Sequence, residues 1–428
     1  MTSMLISFIA VYTAVLFLMI GVGLLGTYLP LQLTFAGVSG QVVGFVMSSY
    51  YLGMMVGAFQ CHRLIKSVGH IRSFAAFGAI TTAIVMLHGM FIAPLFWGIL
   101  RFFTGIATIG LYTVIESWLN ECTEPDSRGR VLSIYMVVSY LGMGIGQQLL
   151  NLGNVLDMQL FYMIGLMLAL CLVPVAVTRS IHPQLPEFER FNAFQLFRKA
   201  PTGMLGCATA GLLSSAFYSI GPVFCHQIGL SVAQLSVVMT MTILGGLLLQ
   251  WPVGALSDRF DRTFVLSLIG VIITLLSVVI FVTAGKSYSG FLGLMVLFGG
   301  FIFTLYPVAV ARAHDVFDVK DIVPLSSVLL LSYGTGATIG PILATTVMAS
   351  TGNAYGLFVY CSSIAAVYAM ITYFLRKREI ITVVSAEDSS AFMFMKNASP
   401  IVAVIDPRSE FEDVSNEDKI EGEIEKGG

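Results

Sequence analysis

The sequence has 428 residues, of which 57% are hydrophobic and only 11% charged, with a formal net charge of −2. Soluble domains carry about 25% charged residues, so a chain of this length with a mean hydropathy of +0.87 has too little polar surface to coat a water-soluble globule. The composition therefore excludes a soluble globular protein and indicates a polytopic helical membrane protein.

The chain begins with a long uncharged stretch. From Met1 to Cys61 there is no Asp, Glu, Lys or Arg, which is several times the 7–15 apolar residues of a signal-peptide core. About 20 apolar residues cross the hydrocarbon core as a helix, so this stretch is predicted to hold two spans. Of the twelve spans predicted in all, the first and eleventh are long enough to tilt or bend, at Pro30 and Pro341. In chain order the spans cover residues 5–34, 42–61, 73–92, 95–118, 131–150, 158–178, 203–226, 232–254, 264–284, 289–311, 325–350 and 355–375.

Basic residues lie in alternate loops, and this pattern predicts the orientation. Counted from a cytoplasmic N-terminus, the outer loops hold only Lys286, with Arg101 just inside an outer membrane edge. An excess of Lys and Arg in short loops marks the cytoplasmic side. Both termini of this multi-pass protein are therefore predicted to be cytoplasmic, in a bacterial inner (plasma) membrane. The segments assigned to the cytoplasm hold Arg63, Lys66, Arg72, Arg128, Arg130, Arg179, Arg190, Arg198, Lys199, Arg259, Arg262, Arg312, Lys320, Arg376, Lys377 and Arg378.

The two groups of six spans repeat each other about 192 residues apart. Pro30 and Gly53 match Pro222 and Gly245 at that offset, and Leu111-Tyr112 matches Leu305-Tyr306 at 194. Two six-helix halves related by an axis along the membrane normal are a transporter architecture, with the substrate site between the halves. The prediction is an all-α membrane protein with two pseudo-symmetric halves, residues 1–178 and 203–378.

Two charged segments flank the second half. The cytoplasmic linker, residues 179–202, holds an aromatic and basic cluster that fits either a short amphipathic helix on the membrane surface or a simple charged linker. The tail, residues 379–428, is acidic, with eleven acidic and four basic side chains after residue 385. Such a composition is typical of a largely disordered, solvated segment.

Three short motifs carry a family resemblance. "GALSDRFDR", residues 254–262, is similar to the signature loop G-x-L-x-D-R-x-G-R of the major facilitator superfamily, with Asp261 where the family has glycine. "RFFTG" resembles the family's fourth-helix motif and places Arg101 and Gly105, and "GATIGP" resembles the glycine–proline motif of antiporter members. The run "VIESWLNECTEPDSRGR", with "LQWPVGALSDRF" and "FTLYPVAVA", looks like the YcaD-like bacterial branch. The resemblance implies the twelve-helix major facilitator fold and alternating access.

The signature loop supplies a candidate conformational latch. In the family this loop stabilises one conformational state, and a carboxylate there can cap a helix or pair with arginines on neighbouring helices. Ordinary loop charge explains the arginines but not Asp258, so the latch interpretation is favoured. The candidate latch residues are Gly254, Asp258, Arg259 and Arg262.

Small residues mark predicted contacts between helices. Pairs of glycines four residues apart allow two helices to approach closely, and any gating role would act through that same packing. The candidates are Gly105, Gly142, Gly146, Gly336, Gly340 and Pro341.

The charges at the two ends of the fourth span suggest a binding or coupling site. Arg101 could snorkel to the outer headgroups or reach a central cavity. The helix face that it shares with Gly105, Thr108 and Tyr112 is small and polar, which favours the cavity. Glu116 is the best carboxylate candidate for proton coupling, and it could pair with Arg128 or Arg130. The other candidates for substrate contact are Tyr112, Gln32, Tyr140 and Tyr333.

Together these features predict a secondary transporter for a small solute, with anionic or neutral substrates preferred over organic cations because Arg101 is the main fixed charge of the cavity. We expect a monomer in the lipid bilayer without cofactor, metal or nucleic-acid partner, with proton coupling left open. A polytopic membrane enzyme is a rival, although the sequence has no HExxH, GxSxG or P-loop motif. The second rival is a sensor or scaffold that has the transporter fold but no transport activity.

Overall fold

The computed structural model describes residues 2–121, 123, 127–177, 197–283, 286–317 and 322–379. Twelve helices in these ranges are long and apolar enough to span a membrane, and the predicted all-α fold is confirmed. We label the spans α1–α12 and treat the sixth, Gln159–Val177, as one span. The others are α1 (Thr2–Phe35), α2 (Gly40–Val68), α3 (His70–His88), α4 (Pro94–Glu121), α5 (Arg128–Leu149), α7 (Pro201–Gln227), α8 (Val232–Arg259), α9 (Arg262–Val282), α10 (Tyr288–His314), α11 (Ile322–Thr351) and α12 (Gly356–Glu379).

Span α6 consists of two helical pieces, Gln159–Leu170 and Leu172–Val177. The break follows from Pro174 in the second piece. A proline has no backbone N–H, and its ring clashes with the carbonyl four residues earlier, which here belongs to Leu170. The regular helix therefore stops at that residue and resumes after Cys171.

Some helix ends differ from the predicted span ends. Helix α2 continues to Val68, so Arg63 and Lys66 lie on a helical extension instead of a loop. Helix α7 begins at Pro201, inside the predicted linker, because proline is favoured in the first turn of a helix. Most of the linker, including its possible amphipathic helix, and the tail from residue 380 lie outside the described residues.

Equivalent helices of the two halves pack in the same pairs. In the first half α1 packs on α5, α2 on α4 and α3 on α6, and in the second half α7 packs on α11, α8 on α10 and α9 on α12. The halves meet mainly through α2–α11 and α5–α8, which are again equivalent pairs. The predicted pseudo-symmetry is therefore confirmed in the packing.

Glycines form the tightest of these contacts at matching positions. A Cβ atom at Gly105 of α4 would collide with the carbonyl oxygen of Tyr50, and one at Gly299 of α10 with that of Thr242. Because a hydrogen in place of a side chain lets two backbones touch, a larger residue would push the helices apart. Four other predicted packing residues occupy similar places, Gly142 and Gly146 against α1 and Gly336 and Gly340 against α7.

Candidate functional site

A cavity of about 1260 Å³, including the part open to solvent, lies between the two halves. Residues of α1–α6 line one wall, and residues of α7, α10 and α11 line the other. Among the described residues that line it, Arg101 is the one charged side chain, and it is accompanied by seven tyrosines. They are Tyr50, Tyr51, Tyr112, Tyr140, Tyr218, Tyr306 and Tyr333.

Arg101 reaches the cavity from α4, about 10 Å along the helix from Pro94 at 1.5 Å per residue. The residue is only 4% exposed. Its guanidinium carbon lies 4.2 Å from the ring centre of Tyr50, and its Nε has no hydrogen-bond partner among the described residues. A snorkelling arginine extends its charge into water, so this buried position favours the cavity interpretation.

Three of the tyrosines that the sequence singles out line the same cavity. Tyr112 and Tyr140 belong to the first-half wall, and Tyr333 belongs to the second. Tyr306 is the repeat equivalent of Tyr112, and its ring packs edge-on against Tyr333 with centres 5.2 Å apart. The two walls thus present tyrosines at equivalent positions, which places hydroxyl groups and ring faces on both sides of one space.

Gln32 and Glu116 are not among the residues that line this cavity. The Nε2 of Gln32 donates to the hydroxyl of Tyr28 and to the carbonyl of Val155, each at 2.6 Å, so its amide is occupied in fixing the chain that follows α5. Glu116 is fully buried between α4 and α5, and its Oε1 accepts a hydrogen bond from Tyr135 at 2.9 Å. Gln32 and Glu116 thus lie outside the described cavity lining, with Glu116 inside the first half, and their functional roles stay predictions.

Four hydrogen bonds join α8 to α5 and to the 3-10 turn Leu150–Leu152 that follows α5, at one end of the bundle. Gln148 Nε2 donates to the Ser236 carbonyl at 3.1 Å and to Thr240 Oγ1 at 2.6 Å. Asn151 Nδ2 donates to Ser236 Oγ at 2.8 Å, and Thr240 Oγ1 donates to the Gly144 carbonyl at 3.2 Å. These residues carry no charge and belong to none of the motifs above, so the sequence alone does not single them out.

Two further contacts between the halves lie at the same end. The ring of Phe35, at the end of α1, packs edge-on against His226 of α7 with centres 4.7 Å apart. The second contact joins α2 to α11. A Cβ atom at Gly44 of α2 would lie 2.9 Å from the carbonyl oxygen of Pro341 in α11, so the two backbones are in close contact. These contacts hold the two halves together at this end, which we call the closed end.

Prolines interrupt helical hydrogen bonding beside the cavity. A proline cannot donate to the carbonyl four residues earlier, and in α1, α7 and α10 that carbonyl belongs to a lining residue. The pairs are Pro30 with Gly26, Pro222 with Tyr218, and Pro307 with Phe303. Three of the helices that form the walls therefore have a natural bend point next to the cavity.

An ion network lies at the other end, in the second half. Arg262 at the start of α9 is 4% exposed, and its Nη2 lies 2.8 Å from Asp258 Oδ1. Its Nη1 contacts Asp315, which follows α10, and donates to the Ala311 carbonyl at 3.2 Å. The predicted latch residues Asp258 and Arg262 thus bind each other and α10 within one half.

The remaining residues of the signature loop surround this network. Gly254 is buried in the last turns of α8, whereas Arg259 ends that helix exposed to solvent. Asp261, where the family has glycine, caps α9 by accepting from the backbone N–H of Thr263 at 3.0 Å. It also pairs with Arg376 of α12, whose Nε lies 2.8 Å away. The departure from the family motif therefore ties α12 to the start of α9.

Comparison with known proteins identifies the class. The family model of the Major Facilitator Superfamily matches residues 11–318 and again residues 203–407, and the chain belongs to this superfamily. The MFS-type transporter YcaD of Salmonella newport (strain SL254) is 31% identical over 360 residues, which cover 83% of this chain and 92% of that protein. The YcaD protein of Salmonella arizonae is similar to the same extent. The predicted resemblance to the YcaD-like branch is confirmed.

Solved transporter structures share the fold. The nucleoside transporter NupG superposes with a TM-score of 0.71 at 14% identity, over 89% of this chain and 99% of that one. A bacterial homologue of the human lysosomal transporter Spinster, in an inward-facing and unoccupied conformation, gives a TM-score of 0.67 at 14% identity, over 90% and 98%. At this identity the comparison establishes the fold alone. The family membership and the twelve apolar helices of the described residues make the chain a multi-pass inner-membrane protein.

Proposed function

We propose that this chain is a secondary active transporter that moves a small solute across the membrane by alternating access. The observation that carries the proposal is the cavity between two equivalent halves, closed at one end by α1–α7, α2–α11 and α5–α8. Rocking of the halves would open that end and close the other. Transport in this scheme involves no covalent chemistry, and one chain supplies both walls, so a monomer suffices.

The proposed orientation has both termini in the cytoplasm, because the basic loops follow the positive-inside pattern. The closed end then faces outward and the cavity faces the cytoplasm. Lys286 and Lys199 are both exposed and lie at opposite ends of the bundle. A membrane-impermeant maleimide should label Lys286→Cys in intact cells and Lys199→Cys only after permeabilisation. The reverse pattern would refute this orientation.

An anionic or neutral solute is the proposed substrate. Arg101 is the charged group of the described cavity wall, and its burial strengthens its field, because the effective dielectric constant inside a protein is far below that of water. An organic cation would meet this charge without a carboxylate in the described wall to compensate it. An anion would instead complete the hydrogen bonding of the guanidinium.

Glu116 is the proposed site of proton coupling. It lies on the same helix as Arg101, about 22 Å further along at 1.5 Å per residue, and is fully buried. A carboxylate inside the membrane is costly while charged, so a proton that binds there can be linked to the conformational change. Uptake driven by a pH gradient should therefore be lost in Glu116→Gln, while exchange of substrate without a gradient persists.

Purified protein in liposomes tests the main proposal. Labelled anionic, neutral and cationic solutes would be offered with and without an imposed pH gradient. Saturable uptake by the wild type, reduced in Arg101→Ala at equal protein content, is the expected result. Binding of a solute in detergent without any flux in liposomes would contradict transport and favour a sensor built on the transporter fold.

A further inference from the structure

In the described part of the cavity lining, charge is confined to one wall. The offset of 194 residues that relates Tyr112 to Tyr306 relates Arg101 to Met295, which is fully buried. Among the described lining residues there is no Asp, Glu or Lys. The first-half wall therefore supplies one fixed positive charge, and the second-half wall supplies none at the equivalent place.

The guanidinium of Arg101 is oriented and incompletely hydrogen-bonded. One face rests on the ring of Tyr50, 4.2 Å from its centre, and this cation–π contact fixes the plane of the charged group. The Nε of Arg101 and the hydroxyl of Ser139, both buried and both on the cavity wall, have no hydrogen-bond partner among the described residues. A buried charged donor without a partner is costly, and an anionic acceptor would remove that cost.

The second-half wall is mainly aromatic, and its other two described lining residues are Ser214 and Ser219. Tyr218 and Phe303 are stacked with ring centres 4.9 Å apart and planes at 23°, next to the edge-on pair of Tyr306 and Tyr333. Aromatic side chains offer large apolar faces, and methionines adapt to the shape of what they contact. This surface suits an apolar or aromatic group better than a strongly hydrated one. Three methionines complete the apolar lining on the first-half side, Met47, Met54 and Met143.

We propose that the cavity binds organic monoanions, with a carboxylate held by Arg101 and an apolar or aromatic body packed against the second-half wall. This substrate class rests on the proposed transport function and narrows it. A dianion would bury a second negative charge without a cation in the described wall to pair with it. A small hydrophilic anion would leave the aromatic surface uncovered, and a cation would be repelled by Arg101.

A matched series of probes separates these classes. The series is 4-phenylbutyrate, its neutral amide, the cation 4-phenylbutylamine, the dianion phenylsuccinate, and butyrate, which lacks the ring. Binding to the purified full-length protein is measured by calorimetry and by the shift in melting temperature, since a ligand that binds the folded state raises it. We expect 4-phenylbutyrate to bind at least about 10-fold more tightly than each of the others.

Variants then test the roles of the two walls. Loss of a hydrogen-bonded charge in Arg101→Ala should weaken 4-phenylbutyrate binding about 10- to 100-fold, and Arg101→Lys should retain part of it. Phe303→Ala should weaken 4-phenylbutyrate but not butyrate. Arg72→Ala removes an exposed arginine of α3 outside the cavity and serves as the matched control.

The outcomes distinguish the substrate class from transport itself. Equal binding of the neutral amide, unchanged affinity in both Arg101 variants, or no binding of 4-phenylbutyrate at millimolar concentration would overturn the monoanion assignment. If 4-phenylbutyrate binds as expected but is not taken up into liposomes that contain the protein, the assignment of the binding site stands and the transport proposal fails.

Discussion

The hydrogen bonds between α5 and α8 are expected to set how readily the closed end opens. Gln148→Ala removes the two bonds to Ser236 and Thr240, and adding Asn151→Ala removes a third. The donors belong to the first half and the acceptors to the second. The substitutions should therefore weaken the contact between the halves while leaving the packing within each half intact.

The size of the effect follows from the number of bonds lost. Hydrogen bonds between membrane helices average about 0.6 kcal/mol each. The single variant should destabilise the closed arrangement by about 1.2 kcal/mol and the double variant by about 1.8 kcal/mol. Because 1.4 kcal/mol corresponds to a tenfold change in an equilibrium constant, the ratio of open to closed molecules should rise about 7-fold and about 20-fold.

Pulsed electron resonance between two spin labels measures this ratio. Leu156, in the segment after α5, and Gln227, at the end of α7, are exposed residues of opposite halves at the closed end. With labels at Leu156→Cys and Gln227→Cys, molecules whose closed end has opened give a longer distance between the two labels. The fraction of molecules at this longer distance should increase from the wild type to the single variant and again to the double variant.

Gln159→Ala provides the control, because it makes the same chemical change at an exposed residue of the same end, at the start of α6. Its distance distribution should match the wild type. Identical distributions in all variants, or an equal shift in the control, would show that the α5–α8 bonds do not hold this end closed.

Three further predictions concern stability. Gly105→Ala places a Cβ atom against a backbone carbonyl of α2 and should lower the yield of monodisperse protein, whereas Gly98→Ala on the same helix meets its nearest atom at 3.5 Å and should not; equal yields would contradict the packing role. Asp315→Asn should lower the melting temperature more than Asp258→Asn, because both carboxylates pair with Arg262 and the Asp315 side chain, at 10% exposed, is less screened by water than the Asp258 side chain, at 36%; the opposite order would be inconsistent with this burial. Truncation after Glu379 should leave membrane insertion unchanged in fractionated cells, because the acidic tail has little that could form a core; aggregation of the truncated chain would show that the tail is structural.

The spans were predictable because the bilayer imposes a minimum length on each apolar run. The ends of the helices were less predictable, because hydropathy indicates which residues lie in the membrane and not where the helix itself ends. Helix α2 illustrates the difference, because it carries Arg63 and Lys66 on turns beyond the predicted span and ends only at Val68. The repeat was readable because glycines and prolines at a constant offset serve the same backbone contacts in both halves.

The candidate site was only partly predictable. Arg101 stood out because a charge in an apolar span requires a reason. Gln148 and Thr240 could not be singled out in the same way, because neutral polar residues are common in such helices. Their pairing depends on how the two halves dock. Gln32 is not among the described lining residues, and its hydrogen bond to Val155, 123 residues away in the sequence, depends on the fold and not on either segment alone.

The guanidinium of Arg101, the one charged group among the described lining residues, also has an electrical consequence. During alternating access, the closed part of the transport pathway moves from one side of Arg101 to the other. The charge of Arg101 then passes from the electrical potential of one compartment to that of the other. For one elementary charge that transfer corresponds to about 2.3 kcal/mol per 100 mV of membrane voltage. A bound monoanion cancels the charge, so voltage should bias the return of the empty carrier far more than the loaded step.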